Sequence, residues 1–444
     1  MTHAILRNLT QKNPCMVRGE GIYLYDSDGK RYIDGASGSA LACNIGHGVK
    51  EVAAVMATQA EELAYNPFHC SHSQAYEDMA ERLIRWAPKG FVRVFSVSSG
   101  SEAVENAVKF SRQYHVARGV PSKYLVISRW QSYHGNTLGA LACSGATGRR
   151  RRHTPMIRDA IHIPPAFCYR CAFEKTYPAC DLKCARALEN AILQEGPENV
   201  SAFIAEPVVG AALGGVPAPP GYFQKIREIC DRYDVLFIAD EVMCGLGRTG
   251  ANFAMDHWSV VPDIIAIGKG MGSGYFPMAA CLVADGIMHT MQSRGAGFEG
   301  VHTCCGHLLG SRVTSVILDY MEKNDLVRNS RQQGELLLQG IEHLKASRPS
   351  VGDVRGLGLM CGVEFVKDQA TREPFPSELK VAEHVMDACM DRGLIVYPGH
   401  GTIDGASGDH LLIGPPLVIT SKQIGDLLTI LQDAVAVVEK EIRI

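Results

Sequence analysis

Short apolar runs alternate with amphipathic stretches between about residues 90 and 300. The runs are rich in valine, isoleucine and alanine and cover residues 92–97, 124–128, 160–163, 202–205, 235–239, 264–267 and 279–283. The stretches between them, such as 102–118, 183–194 and 223–233, repeat their apolar positions at a helical spacing. Alternation of this kind predicts an α/β fold whose large sheet is mostly parallel and carries helices on both faces.

The two ends of the chain have a different pattern. Residues 17–33 alternate around the turn Ser27-Asp28-Gly29, as in a β-hairpin, and from about residue 310 a helical pattern leads through short strands at 353–366 to a last helix at 421–442. Neither end has a core of its own, so we expect both to pack together as a smaller α+β domain. The predicted division is an N-terminal segment of the small domain (1–65), a large domain (66–315) and a C-terminal part of the small domain (316–444).

Length, composition and charge narrow the class of protein. The chain has 444 residues, of which 46% are hydrophobic and 20% charged, and a net charge of −3. These values are typical of a globular protein and indicate neither a nucleic-acid nor a membrane partner. No apolar run is long enough for a bilayer, and the first residues lack the pattern of a signal peptide. Because 15 cysteines without a secretion signal indicate reduced thiols, we expect a cytoplasmic protein.

Two of the apolar runs lead into a charged residue. Asp240 follows the run 235–239, and Lys269 follows the run 264–267 after one glycine. Each alone has an ordinary explanation, a helix cap for the acid and a surface-seeking side chain for the lysine. An amine beside a carboxylate at the ends of strands is also what pyridoxal 5′-phosphate (PLP) chemistry requires, since the amine holds the cofactor aldehyde as a Schiff base and the carboxylate keeps the pyridine nitrogen protonated. The pair therefore favours a PLP site.

Three further motifs follow strands. The segment Ser98-Ser99-Gly100-Ser101-Glu102 opens a helix and predicts a phosphate cradle, although a serine cap supported by glutamate explains it equally well. Tyr133 is either a stacking partner for a flat cofactor ring or a half-buried loop residue. Glu206, before Pro207, either shapes a substrate pocket or serves the structure.

Two clusters have less specific patterns. Cys168, Cys171, Cys180 and Cys184 have the spacing C-x2-C-x8-C-x3-C, which can hold zinc, but the middle loop is shorter than in common zinc modules and PLP chemistry needs no metal. Reduced loop cysteines are the default interpretation. The run of four arginines at 149–152 lacks interleaved aromatic residues, so we interpret it as a solvated loop and leave open a role in guiding an anionic substrate.

With these residues the chain resembles the class III (ω-type) aminotransferases, which are PLP enzymes of fold type I. The resemblance covers nearly the whole length. The matching motifs are Tyr32-Ile33-Asp34, Ile45-Gly46-His47-Gly48, Ser99-Gly100-Ser101-Glu102-Ala103, Ser132-Tyr133-His134-Gly135, Ala205-Glu206-Pro207-Val208, Asp240-Glu241-Val242, Gly245-Leu246-Gly247-Arg248-Thr249-Gly250, Pro262-Asp263, Gly268-Lys269-Gly270, Gly274-Tyr275 and Pro415-Pro416-Leu417.

The resemblance implies a role for each site residue. Lys269 is expected to form the Schiff base and to move the proton, and Asp240 to pair with the pyridine nitrogen. The other expected cofactor contacts are Ser99, Gly100 and Ser101 at the phosphate, Tyr133 and Val242 on the two ring faces, His134, and Thr303 reaching the phosphate of a neighbouring subunit. Phe68 and Glu206 are expected in the substrate pocket.

The resemblance also implies a reaction and an assembly. We expect a ping-pong transfer of an amino group from a primary amine or ω-amino acid to a keto acid, such as pyruvate, or to an aldehyde, in a homodimer or a dimer of dimers. A racemase or lyase reaction on the same fold is the main alternative. A non-enzymatic zinc-binding protein built on the four cysteines is a more distant one.

Three departures from the family pattern concern the substrate. Met243 stands where many members have a glutamine, Leu412 stands where several have an arginine for a carboxylate, and residues 405–408 lack the mobile arginine of many amine transaminases. How a carboxylate is bound is therefore open, and the arginine run 149–152 is a candidate replacement.

Overall fold

The computed structural model describes residues 3–5, 13–158 and 160–442. Its strands are β1 (Met16–Glu20), β2 (Tyr23–Asp26), β3 (Arg31–Asp34), β4 (Phe91–Val97), β5 (Leu125–Arg129), β6 (Ile161–Ile163), β7 (Val200–Ala205), β8 (Val208–Val209), β9 (Val216–Pro217), β10 (Leu236–Asp240), β11 (Ile264–Ile267), β12 (Ala279–Ala284), β13 (Val351–Leu357), β14 (Met360–Phe365), β15 (Leu394–Ile395), β16 (Tyr397–His400) and β17 (Asp409–Ile413). Its α-helices are α1 (Lys50–Glu62), α2 (Gln74–Trp86), α3 (Gly100–Ala117), α4 (Leu138–Cys143), α5 (Thr147–Arg150), α6 (Lys183–Glu195), α7 (Tyr222–Arg232), α8 (Asp285–Ser293), α9 (Leu308–Lys323), α10 (Leu326–Ser347), α11 (Val381–Asp391) and α12 (Ser421–Glu441).

The seven predicted apolar runs form the central sheet. Its strand order is β4-β12-β11-β10-β7-β5-β6, and all neighbouring pairs are parallel except those that β12 makes with β11 and β4. The predicted helices at 102–118, 183–194 and 223–233 are α3, α6 and α7. The mostly parallel α/β fold predicted from the sequence is therefore confirmed.

Both faces of the central sheet are buried, which explains why its strands are apolar throughout. Along β11, Ile265 and Ile267 belong to one core cluster, whereas Ile264 and Ala266 belong to another on the opposite face. Helix α7 packs its apolar side into the first cluster, and α3 packs its own into the second. A strand that is covered on both faces does not need to alternate apolar and polar residues. The carboxyl ends of the parallel strands are not covered by these helices, so a functional site can form there.

The two ends of the chain meet in a smaller sheet. Strands β1, β2 and β3 form an antiparallel meander, and β15 pairs with β3 in parallel through Leu394 and Ile33. A further antiparallel sheet has the order β13-β14-β17-β16, and α12 packs against α10 and α11. This pairing supports the expected joining of the termini, while the boundaries at 65 and 315 stay predictions. Across the described ranges, no helix combines the length and the apolar character needed to cross a bilayer.

Candidate active site

Lys269 and Asp240 line the same cavity at the carboxyl edge of the central sheet. Asp240 is the last residue of β10, and Lys269 lies two residues beyond the end of its parallel neighbour β11. The backbone of Lys269 has a φ of 41°, in the left-handed region that costs a non-glycine residue about 1 kcal/mol or more. The cavity, of about 290 Å³, is lined by Ala40, Gly100, Ser101, Tyr133, His134, Gly135, Arg149, Glu206, Ala211, Asp240, Val242, Met243, Lys269 and Tyr397.

The Asp240 carboxylate is buried and held by two hydrogen bonds. Its Oδ1 accepts from the backbone N–H of Val242 at 3.0 Å, and its Oδ2 lies 2.7 Å from Nδ1 of His134. Since a carboxylate can only accept, the pairing requires the proton on Nδ1 of His134. These contacts orient the carboxylate, and the cavity borders the same side chain.

The amine of Lys269 has a perturbed protonation equilibrium. Burial lowers the pKa of Lys269, and the nearby carboxyl groups of Asp240 and Glu206 oppose this shift without reversing it. A lowered pKa leaves a larger neutral fraction near pH 7 than a solvated lysine has. Such an amine can attack a carbonyl and accept a proton.

The start of α3 provides an anion-binding corner of the cavity. Ser99 is the N-cap, since its Oγ accepts from the N–H of Glu102 at 3.3 Å while Glu102 accepts from the N–H of Ser99 at 3.2 Å. The side chain of Ser99 thus caps the helix, whereas Gly100 and Ser101 line the cavity. A Cβ at Gly100 would lie 2.6 Å from Cγ1 of Val242, so the close approach requires glycine. The free N–H groups of this helix start favour an anion.

Glu206 connects two loops that border the cavity. Its Oε1 accepts from the N–H of Tyr133 at 2.9 Å, and its Oε2 accepts from the N–H of Gly210 at 3.0 Å. Burial raises the pKa of Glu206. Both oxygens of Glu206 are engaged by backbone groups, which fixes the position of Tyr133 at the cavity, and Glu206 itself also lines this cavity, as expected for a residue of the pocket.

Thr303 and Phe68 do not line the cavity within one copy of the chain. Thr303 is exposed, and its backbone oxygen accepts from the hydroxyl of Tyr65 at 2.6 Å. Phe68 packs edge-on to Tyr76, with ring centres 6.1 Å apart, and lies beside Gly306. Neither residue thus borders the cavity of Lys269 in a single copy of the chain.

The four loop cysteines lie between β6 and the first turn of α6. Among the described residues, the groups whose ligand atoms all lie within 4.8 Å of one another do not include three of these sulfur atoms. Burial raises the pKa of Cys184 to about 11, which disfavours its thiolate. The structure therefore does not assemble the closed tetrahedral arrangement of a zinc site.

Some lining residues were not predicted from the sequence. Tyr397, on the short strand β16, borders the cavity together with Ala40 and Ala211. Arg149 was predicted only as one of four arginines, and the structure places this one at the cavity. Tyr397 has no local signal, since Pro398 and Gly399 interrupt the strand pattern that follows it.

Comparisons with known proteins agree with this geometry. Residues 7–435 match the model of the family Aminotransferase class-III. The aminotransferase YodT of Bacillus subtilis (strain 168) is 38% identical over 442 residues, covering 100% of this chain and 99% of that one. The putrescine–pyruvate aminotransferase of Pseudomonas aeruginosa is 35% identical over 428 residues, covering 96% and 91%. The crystal structure of an (S)-enantioselective ω-transaminase from Thermomicrobium roseum superposes with a TM-score of 0.92 at 34% identity, covering 99% and 96%. The chain belongs to the class III aminotransferases, as its motifs predicted.

Proposed function

We propose that this aminotransferase uses PLP to move an amino group from a primary amine or ω-amino acid to a keto acid such as pyruvate. The observation that carries the proposal is the juxtaposition of the Lys269 amine and the Asp240 carboxylate on neighbouring strand ends in one cavity. The name of the P. aeruginosa relative, which pairs putrescine with pyruvate, supports an amine donor and pyruvate as acceptor.

The residues around the cavity fit PLP. Tyr133 and Val242 both border it and offer two apolar surfaces for a flat ring, and Gly100 and Gly268 lie against Val242 without side chains that would fill the space. The phosphate would take the N–H groups at the start of α3, beside Gly100 and Ser101. When bound, PLP supplies an electron-accepting ring with a reactive aldehyde.

The protein's own groups then divide the work. Lys269 supplies the amine that holds the cofactor and afterwards accepts and returns a proton at the reacting carbon of the substrate. Asp240, fixed by His134 and by the N–H of Val242, presents a negative charge to the ring nitrogen. Glu206 holds the Tyr133 loop in place. Donor and acceptor use the same cavity in turn, which is the ping-pong order.

We also propose a homodimer or a dimer of dimers in which Thr303 of each copy serves the neighbouring phosphate site. The family resemblance and the exposure of Thr303 support this assembly. Light scattering during size-exclusion chromatography measures the mass. The variant Thr303→Ala should weaken PLP binding, whereas Thr290→Ala, at a partly exposed position of α8 that does not line the cavity, should leave it unchanged. Equal PLP affinity in the wild-type protein and both variants would show that Thr303 does not contribute to the phosphate site.

Absorption spectroscopy tests the proposed reaction. The wild-type protein with PLP should show the visible band of the bound cofactor, an amine donor should remove this band, and pyruvate should restore it. Lys269→Ala should lack the band, and Lys109→Ala, at an exposed position of α3, should keep it. A wild-type protein that does not bind PLP would overturn the proposal, and metal analysis would then test the cysteine cluster. A band that survives every amine, with racemised or eliminated product, would identify a different PLP reaction.

A further inference from the structure

The four consecutive arginines have different environments. Arg149 is half-buried and borders the cavity of Lys269, whereas Arg150 is buried, donates to the backbone oxygen of Ser144 at 3.1 Å and packs against Trp130. Arg151 and Arg152 are exposed. The side chains point in different directions because they lie on and just after the single turn of α5, and consecutive side chains on a helix are about 100° apart. Only the first side chain of the run is thus placed for contact with a substrate.

The guanidinium of Arg149 contacts aromatic side chains of the cavity. Its Cζ lies 4.3 Å from the ring centre of Tyr133, and its Nη2 donates to the hydroxyl of Tyr397 at 2.9 Å. Throughout the part of the chain that the structure describes, no carboxylate forms an ion pair with Arg149. Since a guanidinium stays charged and has five N–H donors, most of its capacity to bind an anion is unused.

The other charged residues of the cavity leave Arg149 as the side chain best suited to bind an anionic substrate. Among the lining residues, the positively charged types are Arg149 and Lys269 alone, and Lys269 is committed to chemistry. The Asp240 carboxylate adds negative charge, which repels an anionic substrate. Leu412, which stands where several members of the family have an arginine, is fully buried in β17 and is uncharged.

Arg149 and the reacting amine of Lys269 line the same cavity. Tyr397, which accepts a hydrogen bond from Arg149, lines this cavity as well. Arg149 also borders a second cavity of about 240 Å³, together with Thr147, Gly148 and His400, which adjoins the first at Arg149 and Ala211. Arg149 thus borders both the cavity of the reacting group and the adjoining cavity.

We propose that Arg149 binds the carboxylate of the keto-acid acceptor and so makes the enzyme prefer acids over neutral aldehydes. This inference rests on the proposed transamination. A carboxylate would form charge-assisted hydrogen bonds with the free N–H groups, in the planar fork geometry that guanidinium offers. The competing explanation is that Arg149 only supports Tyr133 by lying over its ring.

Acceptor specificity separates the two explanations. Pyruvate and propanal have the same number of carbon atoms, but only pyruvate has a carboxylate. With one amine donor, Arg149→Gln should raise the KM for pyruvate about 10- to 100-fold and change the KM for propanal less than about 3-fold, while kcat changes little for either. Arg149→Lys should recover part of the loss, and Arg151→Gln, at an exposed position, should behave as wild type. Equal losses with pyruvate and propanal would overturn the proposal in favour of support for Tyr133.

A binding measurement makes the test independent of turnover. Calorimetric titration of the PLP-loaded protein with propionate, an unreactive carboxylate, should give about 10-fold weaker binding or worse for Arg149→Gln than for wild type and Arg151→Gln. Unchanged propionate binding would overturn the proposal even if catalysis were impaired. Absence of amino transfer in the wild type would instead refute the proposed function, and the propionate titration would still decide the role of Arg149. Thermal unfolding of each variant controls for loss of the fold.

Discussion

Replacing Asp240 by asparagine removes one charge from the site and keeps the shape. The Oδ1 of the new side chain can still accept from the N–H of Val242, where Asp240 has a 3.0 Å bond. The amide NH2 group takes the place of Oδ2, which in the wild-type protein lies 2.7 Å from Nδ1 of His134. His134 can accept from this group by moving its proton to Nε2, which has no hydrogen-bond partner among the described residues. The fold should therefore tolerate Asp240→Asn.

The lost charge should slow the reaction strongly. Two opposite charges about 4 Å apart attract by about 4 kcal/mol at an effective dielectric constant of 20. The Asp240 side chain is only 4% exposed, so solvent screens it little. If this attraction is made fully in the transition state, its loss slows the chemical step about 1,000-fold. Partial compensation by neighbouring dipoles gives a lower bound of about 100-fold.

Stopped-flow measurement of the single donor half-reaction tests this magnitude without interference from product release. Wild type and Asp240→Asn are compared at saturating donor after equal PLP loading, with thermal unfolding as the control for stability. A variant that is fully loaded, unfolds within a few degrees of wild type and reacts within about 3-fold of its rate would refute the assigned role of Asp240. The site would then need another source of charge at the ring nitrogen.

Three further predictions concern the cradle, the scaffold and the amine. Gly100→Ala places a Cβ 2.6 Å from Val242 Cγ1 and should weaken PLP binding at least about 10-fold in a titration of apoenzyme, whereas unchanged affinity would contradict the cradle. Lys123→Met should lower the free energy of unfolding by about 3 kcal/mol in urea, because the three N–H donors of the Lys123 ammonium are shared among four backbone carbonyls, and a loss below about 1 kcal/mol would contradict this. Because the pKa of Lys269 is lowered, the neutral fraction and the rate of PLP loading should rise with pH around a midpoint below the usual lysine pKa of about 10.4; a midpoint at or above that value would contradict the shift.

The strands of the central sheet could be predicted because burial on both faces requires a run of consecutive apolar residues, which is visible in the local sequence. A run such as Ile264–Ile267 has four consecutive apolar residues, which only a doubly covered strand or a buried helix segment needs. The antiparallel direction of β12 cannot be recognised from the pattern of apolar residues in the strand. It follows from the connection after β11, where residues 268–278 contain no crossover helix of the kind that a parallel return requires. Strand β16 was not predicted, because Pro398 and Gly399 are weak strand residues and only the pairing with β17 holds them extended.

The same distinction between local and tertiary information applies to the site. Asp240 and Lys269 could be predicted because each lies at or just beyond the end of a recognisable strand, and the carboxyl ends of parallel strands meet at one edge of a sheet. Arg149 could not be separated from its three neighbours, since all four have the same chemistry and the direction of each depends on how α5 packs. Burial of Arg150 against Trp130 fixes that packing and turns Arg149 toward Tyr133. The proposed preference for acids therefore depends on the orientation of one helical turn. If the proposal is correct, a substitution at Arg150 that loosens the turn should impair pyruvate binding, although Arg150 itself does not border the cavity.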